Sequence, residues 1–229
     1  MKIGGLQKMT LLDWPGKVAC TVFLEGCDLR CPYCHNSELL LAGSVPGIRE
    51  EELLSFLEKR KGLLDGVCVT GGEALLWPDL PFLLEKIKAI GYPVKLDTNG
   101  THPEKLKMLF REGLIDYVAM DIKNSPEKYG VTAGKPDLDL EPVRESVSWL
   151  LEEHTDYEFR TTVVRQFHTV RDMEEIGRWI AGAKRYFLQP FAPRNTVPDQ
   201  TLAAPDRETL CRFLETVKPL VKEAEIRGI

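Results

Sequence analysis

The chain has 229 residues, 43% hydrophobic and 28% charged, an ordinary globular composition that excludes a disordered, collagen-like or low-complexity protein. Lys and Arg total 30 against 35 Asp and Glu, a net charge of −5, which argues against a nucleic-acid partner because that affinity comes from neutralising phosphates. No segment approaches the roughly 18 consecutive apolar residues of a membrane span, and the opening MKIGGLQKMTLLDWPGK lacks the apolar stretch of a secretory signal, so no membrane partner and a cytoplasmic location are expected.

The first predicted strand covers residues 18–23. Residues 49–60 follow as a helix, with apolar side chains at 53, 54 and 57, and Lys59-Arg60-Lys61 reads as its solvated end. A strand over 66–70 leads to a helix over 79–90, which opens on Asp79 as a cap and Pro81 in the first turn, then repeats Leu83, Leu84, Ile87 and Ile90. The alternation continues with strand 94–97, helix 103–111, strand 117–121 and helix 141–152. Strand 158–164, helix 172–181, strand 185–189 and helix 206–221 complete it, Pro219 ending or kinking the last helix. Several strands are near-continuous apolar runs, as parallel strands covered on both faces are. Residues 43–47 and 190–205 read as loops, because the alternation resumes after each. Six strand–helix units imply a parallel sheet with right-handed crossovers, and six are fewer than the eight of a closed barrel. The expected fold class is therefore α/β, an open partial (β/α)6 barrel of parallel strands, as a single domain over residues 1–229.

Cys27, Cys31 and Cys34 lie in GCDLRCPYCHN, directly after the first predicted strand, at the spacing C-x3-C-x2-C. A disulfide framework is disfavoured, because thiols stay reduced in the cytoplasm and three is an odd number. Cys31 and Cys34 form a C-x-x-C pair of thioredoxin type. Zinc could take the three thiolates with His35 as fourth ligand, although a structural zinc normally draws a second ligand pair from another knuckle and none is visible. An iron–sulfur cubane normally takes four cysteines; three leave one iron open to an exogenous ligand. The amino and carboxylate groups of S-adenosylmethionine can chelate such an iron, and an electron can then split the sulfonium C–S bond.

With Tyr33 in the aromatic position, C-x3-C-x-aromatic-C resembles the hallmark of the radical S-adenosylmethionine superfamily. The second strand ends in Thr70-Gly71-Gly72-Glu73. The triplet by itself reads as a strand-terminating turn, but its place after the cysteine motif matches the GGE of that superfamily, which meets the methionine ammonium. The third strand ends in Asp97-Thr98-Asn99-Gly100 and the fourth in Met120-Asp121-Ile122-Lys123. Successive strands thus place Glu73, Asp97, Thr98, Asp121 and Lys123 at one sheet edge, where ligands of parallel sheets bind. Lys123 can hold a carboxylate as a point charge, and Asp97, Thr98 and Asp121 offer hard oxygens to a small cation or to ribose hydroxyls.

DTNG together with D-x-K is similar to the activating enzymes of glycyl radical enzymes. The run GLQKMTLLDWPGKVACTVFLEGCDLRCPYCHN most resembles the activating protein of the anaerobic ribonucleoside-triphosphate reductase, and the similarity extends to the closing EIRGI. The resemblance implies one 4Fe–4S cluster on Cys27, Cys31 and Cys34. It implies S-adenosylmethionine held by Tyr33, Gly72, Glu73, Asp97, Thr98, Asp121, Lys123 and Arg160, with room for a monovalent cation. Arg160 reads equally as a bidentate carboxylate clamp or as an internal salt bridge. Where some relatives have a ribose-contacting histidine, this chain has FLQPF, so Gln189 would substitute. His168, in RQFHTVRD, reads as a surface or capping residue, and Cys20, Cys68 and Cys211 as small buried hydrophobes.

The resemblance further implies an oxidoreductase that splits S-adenosylmethionine to methionine and a 5′-deoxyadenosyl radical, which takes a hydrogen from a glycine of a partner enzyme. No side-chain general base is called for, and no catalytic group beyond the cluster and the nucleotide. The expected partners are a glycyl radical enzyme, the anaerobic ribonucleotide reductase, and a one-electron donor such as flavodoxin or ferredoxin. The alternatives are a radical enzyme acting on a small molecule, like a deazapurine synthase, a zinc-binding interaction module, and a thiol redox protein using Cys31 and Cys34.

Overall fold

The computed structural model describes residues 1–41, 43 and 45–228. Ser44, inside the loop predicted over residues 43–47, and Ile229, at the end of EIRGI, lie outside the described residues. The strands are β1 (Ile3–Thr10), β2 (Ala19–Leu24), β3 (Gly66–Gly71), β4 (Val94–Thr98), β5 (Tyr117–Asp121), β6 (Asp156–Val163), β7 (Tyr186–Pro190) and β8 (Ala224–Ile226). The helices are α1 (Glu50–Lys59), α2 (Leu80–Ile90), α3 (Pro103–Arg111), α4 (Tyr129–Thr132), α5 (Glu141–Leu151), α6 (Val170–Trp179) and α7 (Arg207–Val217). The strand order follows the chain, β1 to β8, with β1 and β8 at its two ends, so the sheet is open and the fold is α/β as expected. Residues group into two compact units, one of 1–28, 38–98 and 102–118, the other of 29–37, 99–101 and 119–229.

In the first unit β2 pairs in parallel with β3, from Ala19 opposite Gly66 to Leu24 opposite Gly71, and β3 pairs in parallel with β4. Val22, Val67, Val69, Val94 and Leu96 are fully buried, as strands covered on both faces require. Leu53 and Leu57 of α1, Leu83, Leu84 and Ile87 of α2, and Leu106 and Leu109 of α3 cover them. Each such side chain contributes roughly 1.5–3 kcal/mol when taken fully out of water. Helix α2 stops at Gly91, whose φ of 108° is the left-handed cap conformation that glycine adopts without a Cβ penalty. Asp79 does not cap α2 with its side chain, contrary to expectation; its carboxylate instead pairs with the Met1 ammonium at 2.6 Å.

Strand β1 has no counterpart in the predicted elements. Its sequence, IGGLQKMT, is poor in strand formers, and it is held by antiparallel pairing with β2, with Ile3 opposite Leu24 and Thr10 opposite Ala19. After β1, Thr10 Oγ1 accepts from the backbone of Leu12 and Asp13, and Asp13 accepts from Thr21 Oγ1 at 2.5 Å. Trp14 is buried against Tyr117, and Gly66 leaves room for its ring: a Cβ there would lie 2.6 Å from it.

In the second unit β6, β7 and β8 pair in parallel, Phe159 lying opposite Tyr186 and Tyr186 opposite Ala224. Strand β8, three residues long, is also absent from the predicted elements. Arg227, just beyond it, grips the fully buried Glu158 carboxylate with both terminal nitrogens, at 2.8 and 3.0 Å. Helix α6 begins at Val170, two residues before its predicted start, because Asp172 serves a capping box with Thr169. Helix α7 ends at Val217, and Pro219 sits in the following 3-10 turn. Cys20 and Cys68 are buried, and burial pushes both thiols up to about 12. Cys211 corrects its expectation: it lies on the outer face of α7 and is exposed, while Leu210 and Phe213 take the inner face. Among the described residues, no helix is long and apolar enough to cross a membrane.

Candidate active site

The candidate residues divide between the two units. In the first, the end of β2 runs through Glu25 and Gly26 to Cys27, which is partly exposed. Gly26 and Cys27 donate backbone N–H bonds to Leu39 and Leu40 at 2.6 and 3.3 Å, and Glu73 N donates to Gly26 O at 2.7 Å. A Cβ on Gly72 would lie 1.9 Å from Gly26 O and 3.2 Å from Cys27 Cβ, and one on Gly71 2.1 Å from Leu24 O. The paired glycines are therefore demanded by the close approach of β3's end to the chain carrying Cys27. The Glu73 carboxylate is fully buried; one oxygen accepts from Leu75 N at 3.1 Å and from Thr98 Oγ1 at 2.9 Å. Asp97 is paired with Lys95, a fully buried lysine two residues back on β4. The first unit thus gathers Cys27, Gly72, Glu73 and Thr98, with Asp97 tied to a cation of its own strand.

In the second unit Cys31, Tyr33 and Cys34 form a tight turn, with Cys34 N donating to Cys31 O at 3.1 Å. Two segments hold the turn. Arg30 N donates to Ala133 O, just after α4, and Asp199 N donates to Pro32 O, both at 3.0 Å. His35, weighed as a zinc ligand, stacks on Phe191 and meets Ala192 O through Nε2 at 2.7 Å. The 190–205 loop thus braces the cysteine turn.

At the end of β5, Asp121 stands between two cations. Lys123 Nζ is 2.9 Å from Oδ2, and Arg160 reaches Oδ1 with Nε at 3.0 Å and Nη2 at 2.9 Å. Arg160 therefore makes the internal salt bridge that was one of its two readings. Burial alone would raise the Asp121 carboxyl, but the two cations outweigh it and hold it at about 2. Burial would lower the Lys123 ammonium; Asp121, with Tyr33 and Cys31, raises it well above its usual value instead. The backbone of Lys123 is fixed by His168, whose Nε2 lies 3.0 Å from Lys123 O, and Asn124 bonds Thr132 Oγ1 and Phe167 O. Of the two readings of His168, the surface one fails: the residue is buried, its Nδ1 accepts from Val164 N at 3.1 Å, and burial lowers its pKa. Gln189 is half-buried on β7, opposite Thr162 of β6.

Burial raises the pKa of both Cys31 and Cys34, and the nearby Lys123 only partly opposes it. A bound metal would have to displace the thiol protons that burial retains, and Lys123 offers a counter-charge to the resulting thiolates. The Tyr33 hydroxyl is buried and has no hydrogen-bond partner among the described residues, so it is a donor suited to a bound group. No cluster of three or more His, Cys, Asp or Glu among the described residues is gathered as for a single metal ion. A cubane binds its three thiolates at three different irons, which sets them farther apart than the ligands of a single ion.

A model of the Radical SAM superfamily matches residues 21–180. The chain belongs to the radical S-adenosylmethionine superfamily. It is an enzyme of oxidoreductase type, and the family implies a 4Fe–4S cluster and S-adenosylmethionine as its cofactors. A protein of Methanocaldococcus jannaschii, provisionally assigned as a glycyl-radical enzyme activating enzyme, is 30% identical over 99% of this chain and 96% of its own length. The pyruvate formate-lyase-activating enzyme of Clostridium pasteurianum is 34% identical over 58% of each chain. Among solved structures, Streptococcus suis SuiB bound to precursor peptide SuiA superposes with a TM-score of 0.70 at 14% identity, over 91% of this chain and 48% of that one, a likeness of fold alone.

Proposed function

We propose that this radical S-adenosylmethionine enzyme activates a glycyl radical enzyme, the anaerobic ribonucleoside-triphosphate reductase. The observation that carries the activase reading is the match to the archaeal relative over 99% of this chain and 96% of that protein. The reductase as partner is supported by the run from Gly5 to Asn36 with its DWPGK element. Cys27, Cys31 and Cys34 hold the cluster, in a chain that acts as one domain over residues 1–229. When bound, the cluster supplies the electron for homolytic cleavage of S-adenosylmethionine and generation of the radical that takes the glycine hydrogen. Flavodoxin or ferredoxin fits the role of donor.

The side chains bind and orient the nucleotide. Gly72 and Glu73 receive the methionine ammonium, Glu73 held in place by its bonds to Leu75 N and Thr98. Lys123 and Arg160 offer positive charge to the methionine carboxylate while Asp121 keeps them aligned. Tyr33 lends its buried hydroxyl, and Asp97, Thr98 and Asp121 supply oxygens for the ribose. Hydrogen abstraction by a carbon radical needs no proton acceptor, so the protein's contribution is to place the reacting carbon and to exclude water.

The test is anoxic mixing of reconstituted enzyme, reductant, S-adenosylmethionine and the reductase, followed by electron paramagnetic resonance. A glycine-centred doublet that is lost in Cys31→Ala is the expected result. Nucleotide cleavage with no doublet on the reductase would refute the partner, and no cleavage at all would refute the activity.

A further inference from the structure

Lys95 sits in the interior of the first unit. The β-strand register places Cys68 of β3 opposite Lys95 of β4, and Thr21 of β2 opposite Cys68. The Lys95 side chain is 0% exposed and its ammonium is bonded to the Asp97 carboxylate, which is 13% exposed and lies on the same strand face. The Tyr117 ring lies 6.0 Å from Lys95 Nζ. An ammonium taken out of water is costly unless a charge meets it, so the pair stands or falls together. Asp97 is also one of the hard-oxygen groups that the sequence offers to a small cation. The other such carboxylate, Asp121 of the second unit, has Lys123 and Arg160 at 2.9 Å each.

We propose that Lys95 is a built-in cation: a positioning residue whose ammonium does at Asp97 what a bound monovalent metal ion would otherwise do, so that nucleotide binding requires no potassium or sodium. The inference rests on the assignment of Asp97 to the nucleotide site given above. The ammonium orients the carboxylate and cancels its charge. Replacing it by a neutral side chain of similar length removes that compensation and leaves oxygen donors suited to a hard cation.

The test compares cluster-loaded wild type, Lys95→Met and the double variant Lys95→Met/Asp97→Asn in potassium chloride and in tetramethylammonium chloride of equal ionic strength. S-adenosylmethionine affinity is read by calorimetric titration and stability by the unfolding temperature. Wild type is expected to give the same values in both salts. Lys95→Met is expected to bind about tenfold more weakly in tetramethylammonium and to recover most of that loss, with a rise in unfolding temperature, in potassium. The double variant, which buries neither charge, is expected to fold and to ignore the salt. A wild type that loses affinity without potassium, or a folded Lys95→Met that potassium does not rescue, would overturn the proposal. Should Lys95→Met not fold, the wild-type comparison still decides. A wild type that binds no nucleotide in either salt refutes the nucleotide site instead, and the unfolding temperatures judge the cation.

Discussion

Asp121 shows how much one residue can depend on its neighbours. Lys123 and Arg160 hold its carboxyl at about 2, below the ordinary 3.8. A carboxyl whose folded value is depressed stabilises the fold above its unfolded pKa, and loses that contribution as pH falls through the folded value. The difference in denaturation midpoint between wild type and Asp121→Asn is therefore expected to be full above about pH 5 and to close toward about pH 2, where protonated Asp resembles Asn. A gap that does not change with pH would mean that Asp121 acts by packing alone. Asp121 and Lys123 are visible in the sequence because each stands at the end of an apolar strand. His168 and Lys95 are not: His168 lies in a polar run without periodicity, and only β4's neighbours reveal that Lys95 is interior.

At the scale of elements, the cysteine turn is held by segments far from it in the chain. Helix α4 is followed by Gly134 at φ 69°, where an added Cβ would lie 1.9 Å from Arg30 O. Gly134→Ala is expected to cost roughly 1–3 kcal/mol from clash and backbone strain, and to displace the residue next to Cys31. Gly182, at φ 82° with nothing near its missing Cβ, is the control, since Gly182→Ala meets strain without a clash. Urea midpoints and iron retained per chain measure both. Gly134→Ala should lose stability and iron, Gly182→Ala a smaller part of stability only. Equal iron retention in the two would separate Gly134 from the cysteine turn. The parallel strands and most helices of this scaffold are readable from periodicity and caps, whereas β1 and β8 owe their conformation to pairing with β2 and β7.

At the scale of the molecule, stability and cofactor binding are linked. A group that binds the folded chain and not the unfolded one stabilises it by mass action, by about 2.7 kcal/mol at a ligand concentration of about 100 Kd. Removing iron with a chelator is expected to lower the unfolding temperature by several degrees, on the order of 2–4 °C per kcal/mol at this size. S-adenosylmethionine should raise it strongly only in the iron-loaded protein, and an equal rise in both forms would show that the nucleotide does not depend on iron. The chemistry behind this linkage is written locally. The spacing of Cys27, Cys31 and Cys34, the aromatic Tyr33 and the polar ends of successive strands are short-range patterns that determined the family and the cofactors, and the alternation of apolar strands with amphipathic helices determined the α/β class. Tertiary structure alone decided that Lys95 pairs with Asp97, that Arg160 pairs with Asp121, that His168 is interior and Cys211 is not, and that Gly134 must be glycine. Each of these depends on strand register or on burial by distant segments, and neither is set until the chain has packed.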